Sequence, residues 1–600
     1  MSVEQTCIYS TLLPPDPQIP RYPKLSGRFL LDRVLGSSKS PQDIRRPLSA
    51  SFLSWASRPP LVDIFAVMHW KIKDDGRTPP AVYNWRLYYA CVVVGFAGAV
   101  FGYDNSFFGG TLALPSFKHR FGLTDKSANE INNLSSNMVL TYQAGGFLAC
   151  FLSLPFAEML GRKRSLILSA LLFAIGASIQ LVPNIGSFYF GRFIAGVGVG
   201  PLTVVGPLYL SEVSPAPIRG RCVGFFEIAY QLAGMLGFWI NYGVGLHMSP
   251  ESDAQWRIPV AIQLVLVGLF LCGSVLLCES PRFLIKQDAQ EEARKVLTRL
   301  RRLRPDDEYI TREMHDIQAE LQLERHLLGI DPTLSRWQNT RRRLAECVRP
   351  QIMRRISCGM LCQLVANLSG INGINYYSPT IFKTLGVVGT NTGLFATGVY
   401  GCVKFITSII SLFWLVDRLG RRFLLLSGTA VLVFSLFFVG SYVKIADPVA
   451  PADGAAKSIS GGGIAACAFI YIYVIGYVTA YGGVPYILSS EAVPLNVRAI
   501  SSALGAGTLW LTAIAITKAT PYMITNIRYG VFYFFGSCSF LGAIAIYFWI
   551  PETRGVPLEH MATVFGYEDE VGPKQIHITE IKSVADHGQV VEIEETAMGH

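Results

Sequence analysis

The chain has 600 residues, of which 51% are hydrophobic and 16% charged, against about 25% charged in an ordinary soluble domain. That balance excludes a string of water-soluble domains, which could not hide so much apolar surface, and it excludes disorder, which needs an apolar-poor sequence. The net charge of +10 does not point to nucleic acid, because the basic residues fall in short runs between apolar stretches, the pattern that sets membrane topology.

In chain order, a polar, Pro-rich segment comes first; it lacks the basic start and apolar core of a signal peptide. Twelve apolar runs long enough to cross a bilayer follow, at roughly 88–111, 136–157, 165–182, 187–210, 222–246, 257–278, 356–382, 391–416, 423–443, 461–489, 499–521 and 529–550. The expected organisation is a largely disordered cytoplasmic segment at 1–86, a six-helix bundle at 87–278, a cytoplasmic linker with surface helices at 279–355, a second six-helix bundle at 356–550 and a cytoplasmic tail at 551–600. Alternate loops carry the basic residues, among them Arg162-Lys163-Arg164, Arg219 with Arg221, and Arg418 with Arg421-Arg422, which places both termini and the linker in the cytoplasm. The fold class is therefore all-α, in a lipid bilayer. The twelve Cys are scattered, mostly inside apolar runs, and form no C-x-x-C pair, so neither a metal nor any other cofactor is expected.

The two halves repeat. GRKR at 161–164 is echoed by GRR at 420–422, SEVSPAPIRG at 211–220 by SEAVPLNVRA at 490–499, and ESPR at 279–282 by PETR at 551–554. Duplicated six-helix halves around a midplane site describe an alternating-access carrier. The repeated charges, Glu158, Arg162, Glu212 and Arg219 in one half and Asp417, Arg421, Glu491 and Arg498 in the other, sit at helix ends on one side. They either form interlocked ion pairs that gate the inner mouth or serve only topology and capping.

Eight motifs in order, FGYD at 101–104, GRK at 161–163, GRFIAGVGVG at 191–200, PLYLSEVSPAPIRG at 207–220, ESPR, SGINGINYYSP at 369–379, DRLGRR at 417–422 and PETRG at 551–555, resemble the sugar porters of the major facilitator superfamily. Within it the chain looks most like fungal quinate permeases, from TPPAVYNWR at 78–86, GGTLALPSF at 109–117, GFWINYGV at 237–244 and SYVKIADP at 441–448. The likeness starts near Met68, so residues 1–67 read as an extension or a mis-assigned start. It implies two pseudo-symmetric bundles of the major facilitator fold in the plasma membrane, a monomer, and transport of a sugar, polyol or quinate-like acid.

Charges inside hydrocarbon cost at least ~2.5–3.5 kcal/mol each and need a reason. Asp104 on the first helix and Arg192 on the fourth form a candidate pair near the outer half, either static or, as the resemblance implies, a proton-coupling site in a symporter. Lys404 either attracts a carboxylate-bearing substrate or pairs with an acid such as Glu227. Asn367, Asn372, Asn375, Tyr376 and Tyr377 on the seventh helix are candidate hydroxyl ligands, Asn372 by its place in the family motif; Phe101, Tyr486 and Trp510 are candidate cavity walls. The family's paired Gln is replaced by Ala366 and Asn367 and its usual Trp by Tyr486, which argues against glucose as the best substrate. A passive uniporter and a nutrient sensor are the rival readings. No nucleophile–base constellation or phosphate loop supports an enzyme.

Overall fold

The structure is a computed structural model that describes residues 78–327, 336–387, 389–447, 460–493, 497–553 and 564–565, all within the unit Lys71–His600. Most of the expected tails, and the candidate start at Met68, lie outside the described residues. Among the described residues regular structure is helical throughout.

The first half contains α1 (Trp85–Ala113), α2 (Ala128–Leu160), α3 (Arg162–Ile179), α4 (Ile185–Val213), α5 (Arg219–His247) and α6 (Ala254–Ser274). Four linker helices follow: α7 (Pro281–Lys286), α8 (Gln290–Arg301), α9 (Glu308–Leu327) and α10 (Arg336–Cys347). The second half contains α11 (Pro350–Leu368), α12 (Ile371–Thr384), α13 (Thr390–Ile410), α14 (Arg421–Ala446), α15 (Gly461–Tyr481), α16 (Val484–Glu491), α17 (Arg498–Asn526) and α18 (Gly530–Trp549). Ten helical segments are long and apolar enough to cross a membrane. The other two of the twelve expected spans are α3, whose first turn is Arg-Lys-Arg, and the seventh, which is divided between α11 and α12.

Helix α1 packs on α5 and α6, and α4 packs on α2 and α3; in the second half α14 packs on α15 and α18, and α11 on α17. The halves meet where α2 lies on α17, α5 on α13, and α1 on α12. The resulting twelve spans form two bundles.

Several boundaries differ from the sequence expectation, each for a local reason. Residues 78–86 are ordered: Asn84 accepts from Arg86 N at the start of α1, and its Nδ2 donates to the Leu300 carbonyl at 2.8 Å, tying the first span to the linker helices. Helix α2 begins eight residues early because Ser127 N donates to the Glu130 carboxylate at 2.9 Å in a capping box, which recruits a polar turn into the helix. The seventh span breaks at Ser369–Gly370, and α12 kinks at Tyr377 (φ −121°) two residues before Pro379. Pro379 has no N–H to offer the Asn375 carbonyl one turn back. The tenth span breaks at Gly482–Gly483, ahead of Pro485. All of these breaks are in the second half.

Candidate functional site

Asp104 and Arg192 meet inside the first bundle. Arg192 Nη1 donates to Asp104 Oδ1 at 2.7 Å, and both side chains are fully buried. Arg192 Nε donates to the Met138 carbonyl at 3.2 Å, and the guanidinium lies between the rings of Phe108 (4.5 Å) and Tyr142 (4.4 Å). Among the described residues Asp104 Oδ2 and Arg192 Nη2 have no hydrogen-bond partner. Buried polar atoms are nearly always satisfied. This pair is neutral as a whole yet incompletely bonded on both sides.

The adjacent residue carries the pair's position into the other bundle. Asn105 Nδ2 donates to Tyr230 Oη at 3.0 Å, and its Oδ1 accepts from the Tyr376 hydroxyl of α12. One turn on, a Cβ placed at Gly109 would lie 2.7 Å from the carbonyl oxygens of Asn375 and Tyr376, so only glycine permits this approach of α1 to α12. On the same side, Lys518 of α17 donates to Asn133 Oδ1 (2.7 Å) and Asn137 Oδ1 (2.6 Å) of α2. Deeper, Gln143 donates to Thr517 Oγ1 at 3.0 Å. The bundles are thus bolted together on the side away from the linker.

Towards the middle, Phe101 packs on Tyr230 (4.8 Å between ring centres) and Trp510 (5.7 Å), joining the bundles through aromatic faces. Glu227 Oε1 accepts from Gln231 at 2.7 Å. Lys404, 5% exposed, places its ammonium 5.7 Å from the Tyr230 ring centre. Among the described residues no carboxylate comes within ion-pair distance of Lys404, so the Glu227–Lys404 pair considered from sequence is not formed; Gln231 takes the carboxylate instead. Tyr486 remains 44% exposed although it neighbours Glu227 and Tyr230 of the opposite bundle, as expected of a ring standing in open space between them.

The candidate hydroxyl ligands divide. Asn367 is occupied by the protein: its Nδ2 donates to the carbonyls of Gln363 (3.0 Å) and Leu509 (3.3 Å), and its Oδ1 accepts from Asn372 at 2.5 Å. Tyr376 is bonded to Asn105, Tyr377 Oη donates to the Thr517 carbonyl at 3.4 Å, and Asn375 accepts from Tyr400 at 3.0 Å. These four shape α12 and its partners in this conformation. Asn372 keeps a half-buried face.

On the linker side the structure shows which of these charges pair. Arg162 bonds Glu212 with both arms of its fork (Nε 3.0 Å, Nη2 2.9 Å), not Glu158, which instead receives Lys286 of α7 at 2.8 Å. Ser280 Oγ also donates to Glu212. Among the described residues Arg219 forms no ion pair with Glu212; Glu320 and Glu313 of α9 are the acids around it. The side chains of Asp417 and Glu491 lie outside the described residues. The repeat shows instead in two carboxylate caps. Glu279 accepts from the backbone of Arg162 (2.8 Å) and Lys163 (3.1 Å), and Glu552 from that of Arg421 (3.0 Å) and Arg422 (3.1 Å). Gly161 and Gly420, both at φ +91°, turn the chain so that these N–H groups converge on the carboxylate.

This arrangement has known counterparts. A family profile described as "Sugar (and other) transporter" matches residues 90–565. The chain belongs to the sugar porters of the major facilitator superfamily. It is 41% identical over 496 residues to a protein of Neosartorya fischeri named probable quinate permease, covering 82% of this chain and 90% of that one. It is 40% identical over 518 residues to a quinate permease of Neurospora africana, covering 85% and 94%. In three dimensions it is similar to the xylose transporter XylE from E. coli in a partially occluded inward open conformation (TM-score 0.64, 23% identity, 79% of this chain and 100% of that one). The protein is a membrane-spanning transporter of a small molecule and not an enzyme.

The porter's interior holds residues that pattern reading passed over: Asn105, Tyr142, Gln143, Tyr230, Gln231 and Gln363. A signal for some was present. Gln231 lies one helical turn from Glu227, and Asn105 directly follows the FGYD motif. The bonds of Gln143 and Asn105 to residues several hundred positions away had no such local trace.

Proposed function

We propose that this sugar porter imports a polyhydroxylated cyclic acid of the quinate class together with a proton, across the plasma membrane, with the linker helices and both termini in the cytoplasm. The observation that carries the substrate class is Lys404: a buried cation between the bundles, with no carboxylate in ion-pair range among the described residues, is suited to an anionic cargo. Glu227 and Gln231 offer hydroxyl partners, as does the half-buried Asn372 of α12, and Phe101, Tyr486 and Trp510 offer ring faces. The names borne by relatives at 40–41% identity agree with an acid substrate.

Coupling is assigned to Asp104 and Arg192. Separating the guanidinium from the carboxylate removes the charge that keeps Asp104 ionised, and burial then favours its protonation. Rocking of the bundles is transmitted to the pair through Asn105, whose amide bonds the opposite bundle. Because the carboxylate of the cargo cancels the charge of the proton, one-to-one symport is electroneutral and the pH gradient drives it, at ~1.4 kcal/mol or roughly tenfold accumulation per pH unit. The linker-side pairs Arg162–Glu212 and Lys286–Glu158 hold helix ends within one half, and the inner gate closes when the second half's charges dock against them.

The test is uptake in cells lacking their own carriers: labelled quinate, competed by glucose, xylose, inositol and lactose, with external pH recorded. Quinate should compete best, the medium should alkalinise, and a protonophore should collapse accumulation. Uptake indifferent to the protonophore would assign a uniporter, and stronger competition by a neutral sugar would overturn the acid substrate.

A further inference from the structure

Where the first span meets the linker helices, the surface forms a pocket of about 600 Å³ lined by Arg86, Arg294, Lys295, Arg299, Arg302 and Arg304, with Glu291 as its acid. Six cations against one anion leave five net positive charges in a volume typical of small-molecule sites, ~300–1,000 Å³. Like charges disperse on a surface unless the backbone holds them together, and here it does. Arg86 Nη1 donates to the Arg299 carbonyl at 2.6 Å, Asn84 ties α1 to the Leu300 carbonyl, and Arg294 Nη1 donates to the Pro305 carbonyl at 3.2 Å. Arg302 closes α8 in a left-handed conformation (φ 57°), which turns the chain so that Arg304 comes back to the same pocket.

The pocket's depth is set by its neighbour. Trp85, the first residue of α1, is 57% exposed, and the Arg86 guanidinium lies 5.8 Å from its ring centre. An exposed Trp at the start of a span marks the membrane–water interface. The cations beside it therefore stand at headgroup level, where four to eight Lys/Arg next to a membrane helix bind polyphosphorylated lipid.

We propose that this pocket binds the phosphorylated headgroup of an anionic membrane lipid, a phosphoinositide being the class that supplies several phosphates to one site. The occupant bridges α1 and α8, so it stabilises the attachment of the linker to the first bundle. Only the choice of lipid rests on the linker being cytoplasmic; the pocket itself is independent of the cargo and of proton coupling.

The experiment uses the full-length protein in phosphatidylcholine nanodiscs, with and without phosphatidylinositol 4,5-bisphosphate, and reads lipid binding by native mass spectrometry. The variant Lys295→Gln/Arg299→Gln/Arg304→Gln neutralises exposed side chains and leaves the backbone bonds in place. A control, Arg312→Gln/Arg341→Gln/Arg349→Gln, removes the same charge elsewhere on the linker. The first variant should bind the phosphoinositide on the order of a hundredfold more weakly, and the control should bind as the parent does. Equal losses in both variants would overturn the site in favour of diffuse attraction. Saturable binding of soluble inositol 1,4,5-trisphosphate at the concentrations that suffice for the lipid would overturn the lipid as its source. Transport of the cargo, measured in the same variants, separates this result from the fate of the quinate–proton reading.

Discussion

In the first bundle the membrane-buried acid has a matched partner and continuous helices around it: Asp104 is held by Arg192, itself fixed by the Met138 carbonyl and two aromatic faces, on spans that run unbroken from end to end. In the second bundle the buried cation Lys404 has no carboxylate within ion-pair distance among the described residues, and the spans nearby are interrupted at Gly370, at Tyr377 and at Gly482–Gly483. Two copies of one six-helix plan have thus diverged into a half with an ion pair held on unbroken helices and a half whose buried cation has no ion-pair partner among the described residues and whose helices are interrupted. The proposed function divides along the same line, with coupling in the first half and cargo recognition with local bending in the second.

The sharpest way to break that assignment is to remove the acid from the matched pair. Asp104→Asn should eliminate the roughly tenfold accumulation expected per unit of pH gradient while leaving counterflow exchange in preloaded vesicles. Because the variant strands the Arg192 cation, a stability loss of about 3–5 kcal/mol is expected too, so exchange must be normalised to folded protein. Undiminished uphill uptake would remove Asp104 from coupling.

Next in size is the open cation. Lys404→Gln should raise KM for quinate at least about tenfold, the loss of one charge-assisted hydrogen bond of ~1.5–3 kcal/mol, with little change for any neutral sugar that the protein carries. An equal effect on acid and neutral substrates would mean that Lys404 supports the fold and not the carboxylate.

The contrast between the bundles was only partly legible in the sequence. Twelve apolar runs and three repeated motifs define two six-helix halves, because hydrocarbon thickness sets span length whatever the packing. The Asp104–Arg192 pair was legible for a similar reason: an acid and a base in hydrocarbon have few alternatives to each other. Helix breaks were harder. Ser369-Gly370 and Gly482-Gly483 lie inside apolar runs that hydropathy joins, and only the backbone shows that they divide. Charge partners on the linker side were least legible, since a membrane sequence fixes which helix ends share a side but not which of several carboxylates a given Arg reaches. Arg162 bonds Glu212, 50 residues away, rather than Glu158 on the neighbouring turn.

A smaller effect tests how the halves join away from the linker. Gly109→Ala places a methyl about where the carbonyls of Asn375 and Tyr376 now lie, and backbone cannot yield there as a side chain would. The α1–α12 seam should open, with uptake falling several-fold and a cysteine introduced near Lys518 gaining reactivity to an impermeant maleimide. Unchanged labelling and uptake would show that the seam tolerates the methyl.

The smallest expected effect compares the two carboxylate caps, which descend from one motif but differ in exposure. Glu279 accepts from Arg162 N, Lys163 N and Ser280 N in a partly buried setting, whereas the bonds from Arg421 N and Arg422 N to Glu552 are exposed. Replacing a carboxylate with an amide turns one of its oxygens into a donor aimed at other donors, and water relieves that conflict only where it can enter. Glu279→Gln should therefore lower stability by about 1–3 kcal/mol and Glu552→Gln by less than about 1 kcal/mol, read as unequal shifts of Tm in detergent. Equal shifts would show that solvent reaches both caps alike, and that the first half owes its tighter charge pairing to Arg162–Glu212 alone.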